Sequence, residues 1–102
     1  MQKSTFSPHY AAFREALFEL RKRSGLNQRR LAQKIGREQS FVARVELGER
    51  RLDVVEFYWY CLACRTDPVN AAARIMKMLK GVDRDRSARK SPDDRAMIGK
   101  KK

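Results

Sequence analysis

One hundred and two residues allow a single small domain, enough for a modest core of four or five helices. Lys and Arg number 24 against 12 Asp and Glu, a formal charge of +12, and a field of that sign favours polyanions, nucleic acid before anionic membrane. No apolar run approaches the roughly 18 residues of a membrane span, and the opening MQKSTFSPHY lacks the apolar stretch of a signal peptide, so a cytoplasmic chain without membrane contact is expected.

The charge is not confined to one end. Residues 1–80 carry 16 basic and 8 acidic side chains, and residues 81–102 carry 8 and 4. In chain order, Ser7-Pro8 opens a first helix, with serine as cap and proline at the first helical position. Tyr10, Phe13, Leu17 and Leu20 form its apolar stripe, Arg21, Lys22 and Arg23 suit its C-terminal dipole, and Gly25 stops it. Asn27 caps a second helix that carries Leu31, Ala32 and Ile35 and ends at Gly36. Glu38 is an indifferent cap for a third, in which Val42 and Val45 repeat the apolar spacing before Gly48.

The fourth helix has the clearest start. Asp53 and Glu56 form a D-x-x-E capping box, and Leu52 and Phe57 sit where a hydrophobic staple needs them. Its expected stripe is Val54, Phe57, Cys61 and Cys64. Asp67-Pro68 opens a fifth helix with a stripe of Val69, Ala72, Met76 and Leu79, closed by Gly81. These signals place a helical domain at 8–80. Residues 81–102 are polar, basic and almost free of large apolar groups, a tail expected to be disordered in the free protein. No strand pattern occurs, so the class is all-α.

Cys61 and Cys64 are the only cysteines, and C-x-x-C could be half a zinc site or a redox pair. No second pair follows, the single histidine is His9, and both cysteines fall on the fourth helix's apolar stripe. They read as core residues, and no metal or other cofactor is expected.

Residues 28–47 are the most informative stretch. Small Ala32 lets a second helix approach closely, Gly36 permits a sharp turn at positive φ, and two β-branched residues continue the core beyond it. An ordinary antiparallel helix pair also favours a glycine between its helices. The run GLNQRRLAQKIG, Gly25 to Gly36, followed by QSFVARVELGER, nevertheless resembles the phage repressor and Cro family of helix-turn-helix proteins, often called XRE-like. The matching elements are Gly25-Leu26-Asn27-Gln28, Leu31-Ala32, Gly36, and Glu46 with Gly48, within a resemblance covering roughly Arg14 to Leu79. Leu47 stands where an asparagine or arginine is common, and Arg65 where many members have glycine.

The resemblance implies a five-helix repressor-like domain that binds double-stranded DNA, with its third helix in the major groove. Gln39, Ser40, Ala43 and Arg44 would then face base edges: glutamine toward adenine, arginine toward guanine, and alanine toward a thymine methyl. Gln28 would meet a phosphate and brace Gln39, and Arg37, Arg50 and Arg51 would frame the helix with further phosphate contacts. A single reading helix covers few bases, so the resemblance also implies a homodimer. Tyr58, Trp59 and Leu62 either pack on the fifth helix or form the dimer seam.

The expected function is therefore a transcription regulator, a repressor of phage, mobile-element or toxin–antitoxin type, in the cytoplasm and associated with the nucleoid. A toxin or inducer protein is an open partner. Two other classes compete: a protein-interaction adaptor on the same fold, which should show an apolar patch on the third helix, and a non-specific basic nucleic-acid binder, which should interleave aromatic and basic residues. No acid–base pair, nucleophile with histidine, or metal set suggests an enzyme.

Overall fold

Ser7 accepts the Tyr10 N–H at 3.0 Å and Pro8 takes the first helical position, so α1 (Pro8–Ser24) starts at its expected cap. The computed structural model describes residues 7–89. After α1 come α2 (Gln28–Lys34), α3 (Gln39–Leu47), α4 (Val54–Ala63) and α5 (Pro68–Arg89), with no strand among the described residues. Asn27 accepts the Arg30 N–H at the start of α2. The capping box of α4 closes in both directions, Glu56 N–H to Asp53 at 2.7 Å and Asp53 N–H to Glu56 at 3.0 Å. Leu52 and Phe57, the staple pair, are both buried.

One core joins all five helices. Leu17, Leu31, Val42, Val45, Tyr60 and Cys61 are fully buried at its centre. Ala32 is 1% exposed, as a tight crossing of α2 and α3 requires, and Gly36 turns between them at φ +70°. Both cysteines are free thiols in this core, and burial pushes Cys61 up to about 11 and Cys64 upward as well.

Three expectations are corrected. In α4, Val54 is 78% exposed, while Tyr60, which the expected stripe omitted, is fully buried. Val54 occupies the first helical position, and Leu52 and Phe57 already fill that end of the core. Burial raises the Tyr60 hydroxyl above the usual phenol range, and its oxygen has no hydrogen-bond partner among the described residues. In α5 the buried face is Ala71 and Ile75, with Ala72 and Leu79 of the expected stripe beside them, whereas Val69 and Met76 are exposed. Apolar residues lie on more than one side of this helix, and packing against α1 and α4 selects the phase.

The third correction concerns Gly81, which does not end α5; the helix runs on to Arg89. A glycine inside a helix costs only about 1 kcal/mol relative to alanine. Here residues 81–83 are half-buried, and His9 Nε2 lies 2.7 Å from Asp83 Oδ1, which ties the extension to the first turns of α1. The remainder of the expected tail, 90–102, lies outside the described residues.

Candidate nucleic-acid interface

The third helix is buried on one side only. Phe41, Val42 and Val45 enter the core, while Gln39, Ser40 and Arg44 are exposed and Ala43 is half-buried. The four expected base-facing residues therefore share the outward part of α3, at its N-terminal end and one turn along. Glu38 makes no side-chain cap, leaving the first N–H groups of α3 to their surroundings.

α3 is held in place from behind. Arg21 of α1 donates to both carboxylate oxygens of Glu46, at 2.6 Å through Nε and 3.1 Å through Nη2, with both side chains about 90% buried (10% and 8% exposed). Its remaining Nη1 donates to the Leu26 carbonyl at 2.9 Å. Arg14 Nη1 donates to the Glu46 carbonyl at 3.1 Å and packs over Gly48, where a Cβ would sit 3.2 Å from that nitrogen. Gly48, at φ +83°, thus ends α3 and also makes room for Arg14.

From Glu46 the network reaches the surface. Gln28 Nε2 donates to Glu46 Oε1 at 2.9 Å, and Gln39 Nε2 approaches Gln28 Oε1 at 3.4 Å. The expected bracing of Gln39 by Gln28 is present, and one Gln28 donor points inward to Glu46. Sequence reasoning placed Glu46 in the motif without its partner; the pairing with Arg21, 25 positions away, had no local signal.

A second cluster flanks α3. Glu56, 7% exposed, accepts Arg37 Nη2 at 2.9 Å and Arg50 Nη1 and Nη2 at 3.1 and 2.9 Å. Both guanidiniums stand over the Phe41 ring, 4.3 and 4.8 Å from its centroid. Burial raises the Glu56 carboxyl, but the Asp53 N–H and the two arginines outweigh it and hold the group below the usual glutamate value. Arg50 also donates to the Arg51 carbonyl, and Arg51 lies 4.9 Å over the Tyr10 ring. Arg37, Arg50 and Arg51, expected as phosphate contacts, are each also held by protein groups. The second role of Glu56, beyond its capping box, was missed.

Tyr58, Trp59 and Leu62 are half-exposed on α4, at 49, 45 and 50%. Trp59 and Leu62 border a cavity of about 490 Å³ with Lys34, Ile35 and Ala63. Among the described residues no three His, Cys, Asp or Glu side chains gather as metal ligands, and no helix is long and apolar enough to cross a membrane.

Two short helices crossing at Ala32 and Gly36, with the second exposing a polar and basic face, define a helix-turn-helix protein. Solved structures carry the assignment further. An XRE-family like protein from Pseudomonas syringae pv. tomato str. DC3000 is 41% identical over 69% of this chain and 85% of its own, with a TM-score of 0.65. The restriction-modification controller protein C.AhdI from Aeromonas hydrophila is 34% identical over 64% of this chain and 99% of its own, with a TM-score of 0.55. The chain belongs to the XRE family. No protein-family model and no curated protein matches it.

Proposed function

We propose that this protein is a transcription regulator that binds double-stranded DNA sequence-specifically as a homodimer, with α3 in the major groove, and acts by repression. The observation that carries this reading is the exposed set Gln39, Ser40 and Arg44 on a helix whose inner side is locked by Phe41, Val42 and Val45. Amide and guanidinium groups match adenine and guanine edges, and a helix held this rigidly can present them in a fixed register. Ala43 is the contact for a thymine methyl. Arg37, Arg50, Arg51 and Gln28 are the backbone contacts around it, and Tyr58, Trp59 and Leu62 the seam of the dimer.

Kinship with a restriction-modification controller supports regulation of gene expression rather than catalysis, and the polar face of α3 argues against an adaptor. The cytoplasm, at the nucleoid, is where such a protein would act. The test is a titration of labelled fragments from upstream of its own gene against excess random duplex. Retention of one fragment in the presence of competitor is expected. Equal affinity for both would remove sequence specificity and leave a general basic binder.

A further inference from the structure

The chain segments on either side of α3 return to one point. Arg37 lies two residues before the helix and Arg50 three residues after it, yet both Nη2 atoms sit 2.9 Å from the same oxygen, Glu56 Oε2. Two guanidiniums this close repel each other, and a buried carboxylate between them is what lets them share the Phe41 ring. Glu56 is itself anchored, because its other oxygen accepts the Asp53 N–H and its own N–H donates to the Asp53 side chain.

We propose that Glu56 is a positioning residue for phosphate binding: it locks Arg37 and Arg50 against Phe41 as a preformed clamp that grips the nucleic-acid backbone beside α3. This rests on the DNA reading above and adds the residue that organises it. A guanidinium carries five N–H donors, and Glu56 takes one from Arg37 and two from Arg50. Both arginine side chains remain more than one-third exposed (36 and 37%), so each keeps donors facing solvent. The cluster carries two positive charges against one negative and stays attractive to a phosphate. Freezing two long side chains before binding removes an ordering cost that would otherwise fall on the complex.

This makes a prediction opposite in sign to simple charge counting. Removing an acidic group from a DNA-binding face ordinarily tightens binding, whereas removing this one should weaken it. Backbone contacts are indifferent to sequence, so a random duplex of about 30 base pairs is a sufficient probe. Full-length wild type, Glu56→Gln and Glu49→Gln are titrated with it across a salt series. Glutamine can still complete the capping box. Glu49 is exposed, adjacent to Arg50 and makes no ion pair among the described residues, so it reports the charge effect alone.

Glu56→Gln should bind about three- to tenfold more weakly with a salt slope shallower by about one per protomer, and Glu49→Gln equally or more tightly than wild type. Equal or tighter binding by Glu56→Gln overturns the clamp. So does weaker binding with an unchanged slope, which would mark a purely structural role. If Glu56→Gln does not fold, Phe41→Leu removes the stacking surface while keeping an apolar side chain; a wild-type slope in that variant overturns the clamp equally. A wild type that binds no duplex overturns the DNA reading and the clamp together, whereas a binding wild type with an unaltered Glu56→Gln overturns the clamp alone.

Discussion

Arg21 and Glu46 join α1 to α3 through a two-point ion pair, 2.6 and 3.1 Å, at the base of a chain that runs through Gln28 to Gln39 on the surface. A core interaction thereby connects to the first side chain of α3. Breaking such a buried pair from one side leaves an uncompensated charge. Glu46→Ala should therefore cost about 3–5 kcal/mol of stability. Urea unfolding followed by circular dichroism measures it, and a loss under about 1 kcal/mol would mean that Arg21 finds water or another partner.

Arg44 is exposed one turn beyond Gln39 and makes no ion pair among the described residues. On the proposed function, Arg44→Ala relaxes preference at one base pair per half-site and costs about 1–3 kcal/mol there, with little effect on non-specific affinity. Binding to a library randomised at each operator position separates these effects. A uniform loss over all positions would make Arg44 a phosphate contact.

Stability should fall in acid through Glu56. Its carboxyl is held below the ordinary 4.5, so the unfolded chain takes up the proton first. The contribution is fully present above that value and is lost as pH falls through the lower folded value. Urea midpoints measured from about pH 6 to pH 3 should drop more steeply for wild type than for Glu56→Gln. Parallel curves would remove Glu56 from the acid response.

Arg65, at the turn between α4 and α5, is the one non-glycine residue at positive φ among those described, at φ +55°. The sequence resemblance expects glycine at this position, and the backbone here takes the left-handed conformation that glycine adopts most easily. Arg65→Gly should raise stability by about 1 kcal/mol, seen as a higher melting temperature with unchanged helical content. A lower melting temperature would show that the Arg65 side chain contributes more than its backbone costs.

Trp59 is half-exposed on α4, beside Leu62 and Tyr58. If these residues form the dimer seam, Trp59→Glu should yield a folded monomer that keeps non-specific DNA binding and loses most specific affinity, because each half-site is then bound separately. Sedimentation and circular dichroism together decide the outcome. Loss of helix would place Trp59 in the monomer's core, and an unchanged dimer would move the seam to another face.

The helix starts and the turn between α2 and α3 were legible in the sequence because the forces behind them are local. A cap accepts an N–H two or three residues on, as Ser7, Asn27 and Asp53 do, and glycine alone takes positive φ without strain at Gly25, Gly36 and Gly48. Periodicity fixed the inner faces of α1 and α3 for the same reason. In α4 and α5 it held only in part: Phe57, Cys61, Ala72 and Leu79 face the core as expected, but apolar residues surround these helices and only packing chooses between Val54 and Tyr60, or between Met76 and Ile75. It also stopped α5 at Gly81, since nothing local announces that Asp83 will meet His9 across 74 residues. The ion pairs about Glu46 and Glu56 belong to that second kind. A carboxylate and a guanidinium attract at any separation along the chain, so which arginine each glutamate holds is decided when the helices pack. Sequence alone determined that α3 would present Gln39, Ser40 and Arg44, framed by Arg37 and Arg50; the tertiary structure decided how firmly, and which glutamate holds those arginines.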